Sequence, residues 1–125
     1  MNEILAHLFG DFVLQNHWMA SNKTKLMWVA IIHAAVYTLP FLALTMDASA
    51  LFVIFSTHAV IDHYRVGYLW TNLYGVGCRG FIPSFLTKEK VEPAPDHVRA
   101  WLTVVVDNAF HLLINHVALW FSGAT

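Results

Sequence analysis

The sequence predicts an all-α protein, a membrane-embedded bundle of four transmembrane helices with an inward-facing site of histidine and aspartate. Three observations lead to this prediction. The chain of 125 residues is 58% hydrophobic and only 12% charged, whereas a typical soluble domain carries roughly 25% charged residues. A single domain of this length has too little interior to bury so much apolar surface. Four apolar segments each approach the ~20 residues that span a bilayer.

The four segments predict helices over residues 4–20, 26–46, 50–70 and 100–121. The first segment is the shortest, and Pro40 is expected to kink the second. The connections are short except for residues 71–99, whose glycines, prolines and charged residues predict a surface loop. The alternative is a soluble four-helix bundle, whose helices would show an apolar stripe and a broad polar face. Here each helix is apolar nearly all round and carries one narrow polar stripe.

The basic residues predict the orientation in the membrane. With four spans, the loops 21–25 and 71–99 lie on one side together with the end of the third helix, and all seven Lys and Arg fall there. The other side holds both termini and the loop around Asp47, and has none. Because basic residues stay in the cytoplasm, both termini are expected outside and the long loop inside.

Polar residues within the spans recur at helical spacing. Residues four apart share one face of a helix, and charged groups facing lipid are costly, so these stripes are expected to turn inward. Counted from the cytoplasmic ends, the stripes form two layers one helical turn apart. The deeper layer holds His7, His58 and His111, and the other holds Asp11, His33, Asp62 and Asp107.

These residues predict a metal centre. Three carboxylates in a small dry volume need compensating charge, and the sequence places no Lys or Arg in either layer. A divalent transition metal would supply that charge, zinc first, with iron, manganese or nickel as alternatives, and two ions would fit the two layers. The predicted ligands are His7, Asp11, His33, His58, Asp62, Asp107 and His111. A hydrogen-bonded polar core without metal, or a proton relay, are the alternatives.

Catalytic and substrate roles follow from the same pattern. A carboxylate beyond those needed as ligands, Asp11 or Asp62, could take a proton from a metal-bound water as general base. Gln15 extends the first stripe and Arg65 lies one turn beyond Asp62, so both are candidates to contact a substrate. The alternative for Gln15 is a structural hydrogen bond, and for Arg65 an anchor to a lipid headgroup.

The ordered motifs also resemble a known family. They are His7-Leu-Phe-Gly-Asp11-Phe-Val-Leu-Gln15, Trp18-Met-Ala with Lys23, His33, His58-Ala-Val-Ile-Asp62 and Asp107-Asn-Ala-Phe-His111. Together they resemble a family of small bacterial and phage membrane proteins catalogued as domain of unknown function 3307. Family members often have Gln where this chain has Asn108. The His and Asp pattern is more loosely similar to membrane-bound metal-dependent hydrolases, which implies the same seven ligands.

Two classes of function follow. The first is a metal-dependent hydrolase of the bacterial inner membrane that acts on a lipid or lipid-linked phosphate. The second is a non-enzymatic membrane protein, either a metal or proton carrier or a phage membrane effector with a structural metal or polar core. Membrane lipids are the expected partners and a homo-oligomer is compatible with either class. A formal net charge of −1 without basic patches argues against a nucleic-acid partner.

Overall fold

The computed structural model describes residues 2–73 and 95–124. Every regular element in these two ranges is helical, so the predicted all-α class is confirmed there. The predicted loop 71–99 lies largely outside the described residues. The α-helices are α1 (Asn2–Leu8), α2 (His17–Asn22), α3 (Met27–Thr38), α4 (Ala48–Tyr64), α5 (Val66–Leu73) and α6 (Asp96–Phe121).

The first predicted helix, 4–20, is interrupted. Helix α1 runs into a π-helical turn, Phe9–Val13, and the chain then leaves the helix before α2 begins. Asn16 is extended, and its side-chain oxygen accepts a hydrogen bond of 2.9 Å from the Met19 amide. The interruption escapes a hydropathy pattern because its cause is this N-cap, which offers the backbone an alternative to the helix.

The second predicted helix, 26–46, tightens after Thr38. Residues Leu39–Ala43 form a 3₁₀-helix with Pro40 near its start. Proline has no amide hydrogen to donate to the preceding turn and its ring crowds that turn, so a regular α-helix cannot continue through it. Asp47 then caps α4, since its carboxylate accepts a 2.8 Å hydrogen bond from the Ala50 amide.

The third predicted helix, 50–70, is two helices. Helix α4 ends at Tyr64, and Arg65 adopts a left-handed backbone conformation with φ of 53° before α5 begins. This conformation costs an L-residue other than glycine roughly 1–2 kcal/mol. Position 65 holds neither glycine nor proline, so no local sequence signal predicts the break.

Helix α6 begins earlier than the predicted start at residue 100. At 26 residues it is about 39 Å long. Among the described residues it is the one helix long and apolar enough to cross a membrane, and the apolar stretch Met27–Ala43 is shorter. Length and composition of the described helices therefore match one of the four predicted spans, because three of the apolar segments are interrupted by caps, a proline or a left-handed residue.

The chain divides into two compact units, Met1–Tyr64 with His111–Thr125, and Arg65–Phe110. The first unit has an apolar core at one end, formed by Ala6, Tyr37, Phe41, Ala50, Ile54, Ala118 and Leu119. In the second unit, α5 packs closely on the first part of α6. A Cβ atom added to Gly67 would lie 2.7 Å from the Cβ atom of Asp107.

Large apolar side chains cover much of the surface of the described residues. In the first unit, Phe52 is 67% exposed and Phe121 is 78% exposed. Phe12, Val13 and Leu113 are also exposed on separate elements. Soluble monomers rarely present apolar surface this extensive.

Candidate metal centre

Four polar side chains converge inside the first unit, and we call them the Asp–His cluster: Asp11, His33, His58 and Asp62. The π-helical turn supplies Asp11, α3 supplies His33, and α4 supplies the last two one turn apart. The two histidines and Asp62 are buried, and Asp11 is partly exposed. Isolated charges are almost never buried this way unless they are paired or coordinate a metal.

The facing atoms of the cluster are evenly spaced. The Nε2 atoms of His33 and His58 are 3.0 Å apart. Asp11 Oδ1 lies 3.1 Å from the first of these nitrogens and 3.4 Å from the second. Asp62 Oδ2 lies 3.2 Å from both. Two nitrogens and two oxygens from three elements therefore surround one point.

These spacings match a tetrahedral metal site. Zinc binds imidazole nitrogen and carboxylate oxygen at about 2.0–2.1 Å, and a regular tetrahedron of that radius has edges of about 3.3–3.4 Å. Five of the six edges in the Asp–His cluster measure 3.0 to 3.4 Å. The buried Asp–His cluster can therefore hold one metal ion. Imidazole and carboxylate ligands are also suited to iron, manganese and nickel.

Hydrogen bonds alone do not account for the close approach of these four atoms. A ring nitrogen carries either one proton or one lone pair, yet His33 Nε2 has three cluster atoms within 3.2 Å. The Nδ1 atoms of His33 and His58 are buried and make no hydrogen bond within the described residues. Ligating histidines usually donate from the second nitrogen to a nearby acceptor, whereas here the His58 ring packs against the rings of Tyr37 and His33.

A lysine lies beside the cluster, which corrects the prediction that no cation would be found there. Lys23 Nζ is 2.6 Å from Asp62 Oδ2 and 3.3 Å from His33 Nε2. Lys23 follows the last residue of α2, and the backbone oxygen of Lys23 is 3.0 Å from His63 Nδ1. The prediction was wrong because a lysine side chain reaches several ångströms from its backbone, so a residue in the loop 21–25 reaches the buried layer.

A second polar layer adjoins the cluster, and its side chains are joined by hydrogen bonds. Asn115 Nδ2 donates to the Tyr37 hydroxyl at 2.6 Å, and that hydroxyl lies 2.8 Å from His7 Nδ1. The hydroxyl can accept from the amide and donate to the imidazole, so each group has a partner. The Tyr37 ring also stacks on His58 at 3.6 Å between centroids, nearly parallel. We call His7, Tyr37 and Asn115 the tyrosine network.

The predicted ligands lie in four different settings. Asp11, His33, His58 and Asp62 form the Asp–His cluster, whereas His7 belongs to the tyrosine network. His111 is buried, with its Nε2 atom 3.8 Å from Asp62 Oδ1 and its ring 4.4 Å from that of His58. Asp107 belongs to the second unit, where it lies against Gly67. The ligand roles of His7, His111 and Asp107 stay predictions.

The two predicted substrate contacts lie in different units. In the first unit, Gln15 donates from Nε2 to the backbone oxygen of Asp11 at 3.1 Å, which supports the π-helical turn. In the second unit, the Arg65 guanidinium lies 4.4 Å from the centre of the Tyr68 ring, a cation–π contact. Arg65 lines a pocket of about 350 Å³ that Arg99 and Asp96 also border. Both substrate roles stay predictions.

Sequence reasoning missed Lys23 and His63 as parts of the site. His63 follows Asp62 directly in the sequence and lies off the polar stripe of the third predicted helix. The available signal was the position of Lys23 at the cytoplasmic end of a span, where a long cationic side chain can extend along the helix. The charge of the buried layer therefore depends on a lysine in a flanking loop as well as on the residues within the helices.

The chain matches a known protein family over nearly its whole length. A family model described as a protein of unknown function, DUF3307, matches residues 1–122. The chain belongs to this family. No curated protein and no solved structure matches the chain. The predicted family membership is confirmed, while the looser similarity to membrane-bound hydrolases stays a prediction.

Proposed function

We propose that this DUF3307 chain is an integral membrane protein that holds a divalent transition metal in the Asp–His cluster. Zinc is the preferred candidate for that metal. The proposal includes hydrolysis of a lipid or lipid-linked phosphate at that metal. The observation that carries it is the near-tetrahedral spacing of two imidazole nitrogens and two carboxylate oxygens, 3.0 to 3.4 Å along the five edges. In this proposal three of the four atoms hold the ion, and Asp11 faces the remaining position, where a water would bind.

Membrane insertion is supported by the surface and by the composition. The exposed Phe52 and Phe121 would contact lipid rather than water, and α6 is long and apolar enough to span a bilayer. In this proposal the other apolar segments cross as interrupted helices, which a membrane tolerates where the freed backbone groups face protein. Both termini lie outside the cytoplasm of a bacterial inner membrane, as the basic residues predict.

The burial of the four residues suggests which of them bind the metal and which acts as general base. His33, His58 and Asp62 are the most buried and are the proposed ligands, a set of two histidines and one carboxylate known from zinc hydrolases. A divalent metal held there would lower the pKa of a bound water to about 7. Asp11 is the most exposed member of the cluster, with 14% of its side chain accessible, so it is the proposed general base.

The metal is tested by elemental analysis of detergent-purified protein that has never met a chelator. We expect about one zinc per chain, or two if the deeper layer of histidines holds a second ion. A metal content near zero after incubation with zinc, iron, manganese and nickel in turn would contradict the proposal.

Hydrolysis is tested with metal-loaded protein and native bacterial membrane lipids, the products being identified by mass spectrometry. The Asp11→Asn variant should retain bound metal and lose most turnover, because a base contributes roughly 10²–10⁴-fold to rate. The His116→Ala variant removes an exposed histidine that pairs with Glu3 and serves as the control. Wild-type protein that binds metal but releases no product from any lipid would refute the enzymatic part.

The second candidate is a non-enzymatic membrane protein, and the Lys23–Asp62 ion pair favours it. One lysine offsets one of the two cluster carboxylates, and a protonated histidine could offset the other without any metal. This candidate covers a metal or proton carrier and a phage membrane effector. Its form with a polar core and no metal predicts metal-free protein that is as stable to heat as protein incubated with zinc.

A further inference from the structure

The Lys23 ammonium contacts two of the atoms that would bind a metal. Its nitrogen lies 2.6 Å from Asp62 Oδ2 and 3.3 Å from His33 Nε2. An ammonium only donates hydrogen bonds, so a hydrogen bond from Lys23 to His33 Nε2 uses the lone pair that would otherwise bind a metal. One lone pair cannot serve the ammonium and a metal at the same time.

We propose that Lys23 is the resident cation of the metal-free cluster and sets the metal affinity, because a divalent ion must displace it from His33 and Asp62. This inference rests on the proposed metal site and adds a residue that tunes it. The backbone of Lys23 is held in place, through its oxygen by His63 and through its amide by the Met19 oxygen. Its side chain is 16% exposed, so the ammonium has a path outward to water.

Charge explains which ions can displace the lysine. Asp11 and Asp62 carry two negative charges, and Lys23 offsets one of them. A monovalent ion would bring no more charge than the ammonium it displaces, whereas a divalent ion brings one more. Lys23 therefore makes the cluster selective for divalent ions and keeps the metal-free protein folded by compensating a buried carboxylate.

The first experiment measures zinc affinity by titration against a competing chelator in the detergent-solubilised full chain. Lys23→Met keeps the apolar stem and removes the charge, so zinc should bind about 10–100-fold more tightly, the range expected for hydrogen bonds to charged groups. Without zinc the same variant should melt at a lower temperature than wild type. Lys23→Arg keeps the charge and should stay near wild type in both measurements.

Lys25→Met is the matched control, since Lys25 is exposed in the same loop and should change neither measurement. Wild type that binds zinc while Lys23→Met binds it equally or more weakly would overturn the inference and leave the metal site standing. Zinc bound by neither wild type nor any variant would overturn the proposed metal site itself. A Lys23→Met protein that folds only when zinc is present would support the inference.

The second experiment needs no variant. Lys23 and Lys25 of wild type are reductively methylated with formaldehyde and sodium cyanoborohydride, and the extent of labelling is read by peptide fragmentation. In metal-free protein Lys23 should label several-fold more slowly than Lys25, because its ammonium is held by Asp62. Zinc should accelerate labelling of Lys23 and leave Lys25 unchanged. Equal labelling of Lys23 with and without zinc, in protein that binds zinc, would overturn the displacement.

Discussion

The Asp–His cluster and the tyrosine network contain similar residue types in one unit but solve different problems. In the tyrosine network one chain of hydrogen bonds runs from Asn115 through the Tyr37 hydroxyl to His7. In the cluster, each ring nitrogen has three other cluster atoms within 3.4 Å and only one proton or one lone pair to share among them. The comparison teaches that counting protons and lone pairs separates a structural polar core from a candidate ion site, where residue type alone does not.

The largest expected effect breaks the cluster. His58→Ala removes a ligand and leaves a buried carboxylate with less compensation, so bound zinc should fall from about one per chain to near zero. Elemental analysis of the purified variant measures this. His116→Ala, which removes an exposed histidine, should keep the wild-type metal content. Full metal occupancy in His58→Ala would place the site elsewhere.

Removal of the metal gives the next largest effect. A ligand that binds only the folded state stabilises it, by about 4 kcal/mol when its free concentration is 1,000 times the dissociation constant. Zinc-loaded wild type should therefore melt well above the chelator-treated protein. The gap should vanish in His58→Ala and persist in Tyr37→Phe, which leaves the cluster ligands in place. Equal melting temperatures with and without zinc in wild type would favour the metal-free polar core.

The next prediction concerns the close contact between Gly10, in the π-helical turn, and Tyr37 in α3. A Cβ atom on Gly10 would lie 2.7 Å from Tyr37 Cδ2 and 3.0 Å from the Tyr37 backbone oxygen. Gly10→Ala must therefore push the π-helical turn away from α3, at a cost of about 1–3 kcal/mol in the free energy of unfolding. Because the same turn carries Asp11, zinc affinity should fall as well.

Chemical denaturation and zinc titration of Gly10→Ala measure the two effects. Ser21→Ala, an exposed substitution near the end of α2, provides the comparison. If Gly10→Ala matched wild type in both stability and zinc affinity, the close approach of the π-helical turn to Tyr37 would be wrong.

The smallest effect on bound metal belongs to the tyrosine network. Tyr37→Phe removes the hydroxyl between Asn115 and His7 and leaves two buried polar groups without that partner, at a cost of about 1–3 kcal/mol. Zinc content should stay at the wild-type value, because Tyr37 contributes packing against His58 rather than a ligand atom. A denaturation curve together with elemental analysis separates the two outcomes. Loss of metal in Tyr37→Phe would show that metal binding depends on both layers.

The sequence by itself determined the helical class, the family and the inward-facing residues His33, His58 and Asp62. Helical periodicity and the cost of exposing charge to lipid are local rules, so spacing of i and i+4 suffices to place such residues on one face. The same rules assigned His7 to the metal, whereas the Tyr37 hydroxyl lies within hydrogen-bond distance of its ring nitrogen.

Only the tertiary structure decided where the helices break and what compensates the buried carboxylates. The Asn16 cap and the left-handed Arg65 interrupt segments whose hydropathy is continuous. Lys23 is distant in sequence from Asp62, yet the two side chains form an ion pair in the first unit. Hydropathy records how apolar each residue is, whereas charge compensation depends on distances between side chains from different elements, which exist only after the chain has folded.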